Sequence, residues 1–213
     1  CLPLTGFFVP EETVHSEVKT HLTVDIQTLL FASCTALVQF SPMLIVPVLA
    51  PLMMQFMGTP PHLLPVLFLC GGVAGYLSTK VSCILTSRIS ALSLATLSSL
   101  IFIASLLIPA TGNHYGWLFI CLFLAASYSR LVTASALVVR FPDNQQRASF
   151  SSLQTAIMFL ITTLAFFLTS LLLPDSQITG QHLHQLLLLS ALTASVFPGL
   201  VIILQKKLAQ RMQ

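Results

Sequence analysis

The hydrophobic positions of this chain come in runs too long for an ordinary soluble helix and too continuous for a strand. No Asp, Glu, Lys or Arg occurs between Asp25 and Lys80, from Ser151 to Pro174, or from Ser176 to Gln205. Uncharged runs of roughly 20 to 30 residues, rich in Leu, Ala, Ile and Phe, predict membrane-spanning helices; a membrane strand needs only about ten alternating residues. Six segments can be drawn, over 26–57, 62–79 (with an extension to 84), 89–107, 115–139, 148–173 and 183–204. At about 1.5 Å per residue each can cross a hydrocarbon core of about 30 Å. The expected fold class is all-α, a polytopic membrane protein whose six transmembrane helices form one bundle.

Charge adds an orientation. The three connections after the first, third and fifth segments carry one acid, Asp175, and no Lys or Arg. Lys19, Lys80, Arg88, Arg140, Arg147, Lys206, Lys207 and Arg211 all fall on the other side. Basic residues mark the cytoplasmic face, so both termini are expected in the cytoplasm of a multi-pass protein of a bacterial plasma (inner) membrane. Residues 1–25 are polar and mixed in charge and are expected to form a cytoplasmic lead-in or linker. The bundle spans 26–205, and 206–213 read as a basic cytoplasmic tail. The first 21 residues lack a basic region followed by an apolar core and do not read as a signal peptide. A chain starting at Cys1 is expected to be a piece of a longer one.

Composition agrees and narrows the function classes. The chain is 55% hydrophobic and 7% charged, with a mean hydropathy of +0.92, against about 25% charge in a soluble domain. A soluble fold of 213 residues has too little interior to bury so many apolar helices. The net charge of +3 is scattered over helix ends with no basic face, so no nucleic-acid partner is expected. The five cysteines form no CxxC pair, and His182 and His184 have no third ligand placed to help them. Phosphate-loop, dinucleotide-glycine and HExxH patterns are absent from the sequence. No catalytic residue, metal or cofactor is expected, and the protein is not expected to be an enzyme.

Certain residues interrupt the apolar pattern. Pro42, Pro47 and Pro51 lie in the first segment, flanked by Gln39 and Gln55. Each proline removes a backbone donor, and broken membrane helices persist where protein or a watery cavity satisfies the freed groups. Cavity lining and a simple kink are both open readings. Gly71, Gly72 and Gly75 put a GxxxG pair on the second segment, which lets another helix approach closely, whether for static packing or at a moving interface. Arg130 lies about 13 Å inside the fourth segment, at a cost of at least ~2.5 kcal/mol if isolated. It reads either as part of a substrate path or gate, or as a snorkelling side chain with structural hydrogen bonds. Gln154 and Thr155 on the fifth segment are candidates for a polar vestibule or for a packing seam.

The stretch 47–88, PVLAPLMMQFMGTPPHLLPVLFLCGGVAGYLSTKVSCILTSR, resembles the first helix pair of one half of a major facilitator superfamily transporter. The family's cytoplasmic G-x-L-x-D-R-x-G loop falls on Cys83, Leu85, Ser87, Arg88 and Ser90. Leu85 and Arg88 match; Cys83, Ser87 and Ser90 replace glycine, aspartate and glycine. Such a degenerate copy is similar to the repeat in the C-terminal half, and 138–152, VVRFPDNQQRASFSS, is similar to the loop between the family's tenth and eleventh helices. The resemblance covers about residues 20–209. It implies a six-helix half of a secondary active transporter that moves a small solute (a drug, sugar or metabolite), with efflux the expected direction, by alternating access. The implied partners are the lipid bilayer, the solute, and an N-terminal six-helix half in the same polypeptide or a second copy. It implies cavity-facing first and fourth segments, with Gln39 and Arg130 as substrate-path residues beside Gln154 and Thr155. Pro42, Pro47, Gly71, Gly72, Gly75 and Arg88 would belong to helix interfaces or the gate. The alternative is a six-helix integral membrane protein without transport activity, acting in assembly or lipid interaction.

Overall fold

The computed structural model describes residues 25–111, 115–142, 144–173 and 180–211. The lead-in at 1–24 and parts of the connections lie outside the described residues. What is described is helical, with short turns, and contains six stretches long and apolar enough to cross a membrane. This is a multi-helix membrane protein. The first stretch is α1 (Ile26–Ile45), a 3-10 turn (Val46–Val48) and α2 (Leu49–Gln55). The others are α3 (Leu64–Leu85), α4 (Ala91–Ala110), α5 (Gly116–Val138), α6 (Arg147–Leu172) and α7 (Gly180–Arg211). The last helix runs on through Lys206 and Lys207. The residues expected as a basic tail from 206 onward therefore form its final turns as far as Arg211. An interior-facing seam at Val201 and Leu204 leads into these turns, with Leu208 packed beside it.

Local chemistry sets the ends. Asp25 caps α1 by accepting a hydrogen bond from Ile26 N at 2.7 Å, and Ser90 caps α4 by accepting from Ser93 N at 3.1 Å. Side-chain oxygens at such positions satisfy donors that the helix leaves free. Between α2 and α3, Gly58 takes a φ of 63°, a left-handed conformation that costs a glycine little.

The break within the first stretch follows from its prolines. Pro47 has no N–H to offer Met43 O, and the chain tightens from Val46 to Val48 before resuming as α2. Another helix bonds a carbonyl beside the break. Thr169 Oγ1 of α6 lies 2.8 Å from Leu44 O, just before the break, and 2.9 Å from Ala165 O of its own helix. Pro42 likewise cannot donate to Val38 O, and Ser41 Oγ donates to that oxygen at 3.4 Å.

The helices form two layers. α3, α5, α1 and α6 lie side by side in that order; behind them α4 packs on α5, α7 packs on α1, and α4 and α7 pack on each other. Directions can be read from paired residues. Gly71 of α3 meets Ile120 and Leu124 of α5, and Ser82 meets Ser129, so α3 and α5 run parallel. Thr35 pairs with Gln154 and Leu44 with Thr169, so α1 and α6 also run parallel. Two apolar clusters show that α1 runs antiparallel to α5. One gathers Leu44 to Met57 with Phe119 to Ala126, and the other gathers Phe31 to Val38 with Ala134 to Val138. Exchanging the first three spans with the last three leaves these main neighbours and directions unchanged. The packing is that of two inverted three-helix units.

Close approach of α3 to α5 rests on small residues. A Cβ at Gly71 would lie 2.8 Å from Leu124 Cδ1, and one at Gly75 would lie 2.5 Å from Tyr128 Cδ2. Below them Ser78 Oγ donates to Ala125 O at 2.6 Å and Ser82 Oγ donates to Ser129 Oγ at 2.8 Å. Gly72 faces open space, with nothing within 4 Å of an added Cβ. Of the GxxxG stretch, Gly71 and Gly75 form the seam; Gly72 points to the exposed side, about a quarter-turn round the helix. Gly75→Val should lower stability by about 1–3 kcal/mol through overpacking against Tyr128, while Gly72→Val should leave it within about 0.5 kcal/mol. Unfolding in mixed micelles, followed by circular dichroism, measures both.

Candidate functional site

The two apolar clusters occupy opposite halves of the bundle, and polar residues separate them. On α1, Ser41 lies between Val38 and Leu44. On α4, Ser98 and Ser99 lie between Ala95 and Phe102. On α5, Ser129, Arg130 and Thr133 lie between Ala126 and Ala134. All six of these polar residues are buried. A bundle in lipid gains little from burying one more apolar side chain, so interhelical hydrogen bonds and close packing help to fix its register, at about 0.6 kcal/mol per bond on average.

Arg130 is the centre of this layer. It has 0% exposure. Its Nη1 donates to Ser41 Oγ at 2.7 Å, and the same hydroxyl donates to Val38 O. The guanidinium carbon lies 4.8 Å from the centre of the Phe102 ring and 5.4 Å from that of Phe197. A charge-assisted bond contributes about 1.5–3 kcal/mol, and a desolvated cation–π contact about 2 kcal/mol. Together these are comparable with a desolvation cost of several kcal/mol. α7 joins the same layer: Ser190 Oγ donates to Ser41 O at 2.9 Å. Arg130 therefore does not snorkel; it ties α5 to α1 between phenyl faces from α4 and α7.

A separate recess of about 120 Å³ lies where α1 and α5 meet. Gln39, Pro42, Met43 and Val46 line it from α1, and Phe123, Leu124, Ser127, Tyr128 and Leu131 line it from α5. None of this lining comes from α4 or α7. Val46 is the first residue of the helical break, so the break borders the recess. Arg130 is not in the lining; successive residues turn by about 100°, which carries its side chain into the bundle while Leu131 faces the recess.

The other sequence-chosen residues are spread out. Gln154 Nε2 donates to Thr35 Oγ1 at 2.8 Å and so joins α6 to α1. Thr155 is exposed and donates to Ser151 O of its own helix at 2.9 Å. Pro47 is exposed within the break, and Pro42 is buried and borders the recess. Arg88 is exposed in the turn after α3, where its N–H donates to Leu85 O at 2.9 Å. Ser87 and Ser90 bond helix ends there: Ser87 Oγ donates to Ile84 O at 2.7 Å, and Ser90 caps α4.

Sequence reading passed over Ser41, Ser99 and Ser190, as well as the recess residues Ser127 and Tyr128. Ser41 could have been found from its place just before Pro42. On α4, Ser98 and Ser105 stand seven residues apart, two turns along one face; no such repeat marks Ser99 or Ser127. Among the described residues, no group of three His, Cys, Asp or Glu side chains could hold a metal ion.

Ser41→Ala removes the side-chain acceptor that Arg130 has among the described residues and should destabilise the bundle by about 2 kcal/mol. Thr155→Val, at an exposed position whose hydroxyl bonds its own helix, should be neutral within about 0.5 kcal/mol. Denaturation midpoints of the purified variants compare the two.

Set against family models, curated proteins and solved structures, the chain matches none of them.

Proposed function

We propose that this chain is one six-helix half of a secondary transporter of the major facilitator type, carrying a small solute across a bacterial plasma membrane by alternating access. The observation that carries the reading is the recess between α1 and α5. These two helices are counterparts in the inverted packing, and one of them is discontinuous beside the recess. Transporters built from inverted repeats bind their substrates near the membrane midplane at the junction of the repeats, often beside broken helices. The row α3–α5–α1–α6 has α4 and α7 on one side only, and a second six-helix half would face its other side. The orientation rests on charge. Lys80, Arg88, Arg140, Arg147, Lys206 and Lys207 lie at the same end of the bundle, and that end is assigned to the cytoplasm.

In this mechanism the two halves rock about the recess, which opens to each side in turn. Gln39 offers the recess an amide that both donates and accepts, and Ser127 and Tyr128 offer hydroxyls. Ser127 Oγ donates to Phe123 O at 2.6 Å and keeps its acceptor capacity. Such a lining suits a small polar or amphipathic solute.

A second reading has one observation in its favour. Arg130 and Gln154 are tied into the packing rather than presented to the recess, as expected of a bundle whose task is assembly. Labelling distinguishes the two. With Gln39→Cys as the sole reactive cysteine of the complete protein, a membrane-impermeant maleimide should react in right-side-out and in inside-out vesicles. Reaction from one side alone, or from neither, contradicts alternating access at this recess.

A further inference from the structure

The geometry points to a buried site for a small planar oxyanion, formed by the free edge of Arg130 with Ser99. Arg130 spends one nitrogen, Nη1, on Ser41. Its Nε and Nη2 are buried and have no hydrogen-bond partner among the described residues. These two nitrogens carry parallel N–H bonds along one edge of the guanidinium, the edge that matches the two oxygens of a carboxylate-like anion. Ser99 Oγ is the one other buried side-chain polar atom left without a partner among the described residues. Ser99 stands one turn from Phe102 on the interior face of α4, and the Phe102 ring lies against the guanidinium. Among the described residues, the buried side-chain nitrogen and oxygen atoms without any partner thus fall in one layer of the bundle, on the adjacent helices α4 and α5.

Charge argues for an anion over water. The guanidinium stays protonated, and the chain has no Asp or Glu between residues 26 and 142, between 144 and 174, or after 175. The spans themselves therefore supply no counter-charge. Asp143 comes after the end of α5 and is thirteen residues from Arg130 along the chain. An anion with two oxygens would pair both free N–H groups and accept a third bond from the Ser99 hydroxyl. Formate, nitrate and bicarbonate have this shape and size. The site lies about a quarter-turn round α5 from the recess, and its occupancy does not depend on whether the protein transports anything.

Purified full-length protein is titrated with sodium formate, with sodium gluconate replacing it to hold ionic strength constant, and thermal unfolding is followed by circular dichroism. Gluconate is too bulky for a closed layer. Formate should raise the midpoint saturably by about 3 °C or more, and Arg130→Gln should abolish the response. Ser99→Ala keeps the charge and the fold while removing one donor, so the half-saturating formate concentration should rise about tenfold. Equal midpoints in formate and gluconate for the unmodified protein overturn the site. An Arg130→Gln response equal to that of the unmodified protein overturns it too, and an unchanged titration for Ser99→Ala removes Ser99 from it.

Discussion

In lipid, a buried polar group must find its partner inside the protein, because no water is present to replace it. The first span makes that demand acute. Pro42 and Pro47 each withhold a backbone donor from the helix that carries them, and the helix breaks at Val46 to Val48. Its neighbours bond other carbonyls around these prolines, and its own serine bonds one that Pro42 leaves free. Thr169 of α6 reaches Leu44 O, Ser190 of α7 reaches Ser41 O, and Ser41 itself turns back to Val38 O. Arg130 of α5 then uses the same serine as its acceptor. Three helices are thereby fastened to the least regular part of a fourth, and α1 becomes the element around which the bundle is registered.

The same constraint explains why polar residues gather in a layer. An apolar interior alone would allow helices to slide, since lipid and leucine are alike in hydrophobicity. A serine facing a carbonyl, or an arginine between two rings, has one good position. The layer holds the two apolar clusters in register while the recess on the other side of the α1–α5 contact stays separate from it. Gln39 borders that recess and Arg130 does not, so the two residues that sequence reading had grouped together have different surroundings.

The flanking helices follow another rule. α3 reaches α5 by having almost no side chain at Gly71 and Gly75, and α6 reaches α1 through Ala165, Thr169 and Gln154. Each leaves most of its remaining surface apolar and exposed, with Leu69 and Val73 outward on α3 and Leu160 and Phe167 outward on α6. Such faces suit lipid or a second helical bundle equally well. The inverted relation of the two three-helix units places these flanking helices at the two ends of one row.

The sequence by itself determined the number of spans, their approximate limits, the end of the bundle that carries the basic residues, the prolines that disturb the first span and the glycine spacing on the second. These depend on composition and on spacing along one helix, because a lipid environment admits so few alternatives for the backbone. The expected basic tail was legible only as charge; its helical course depends on Val201, Leu204 and Leu208 meeting the rest of the bundle. Which side of a helix faces inward was decided only by tertiary structure. In helices apolar nearly all round, periodicity carries little information, so Gly72 could not be told from Gly71, nor the surroundings of Arg130 from those of Gln39. Their roles depend on which neighbour lies a quarter-turn away, and that is set by the packing of helices distant in the chain.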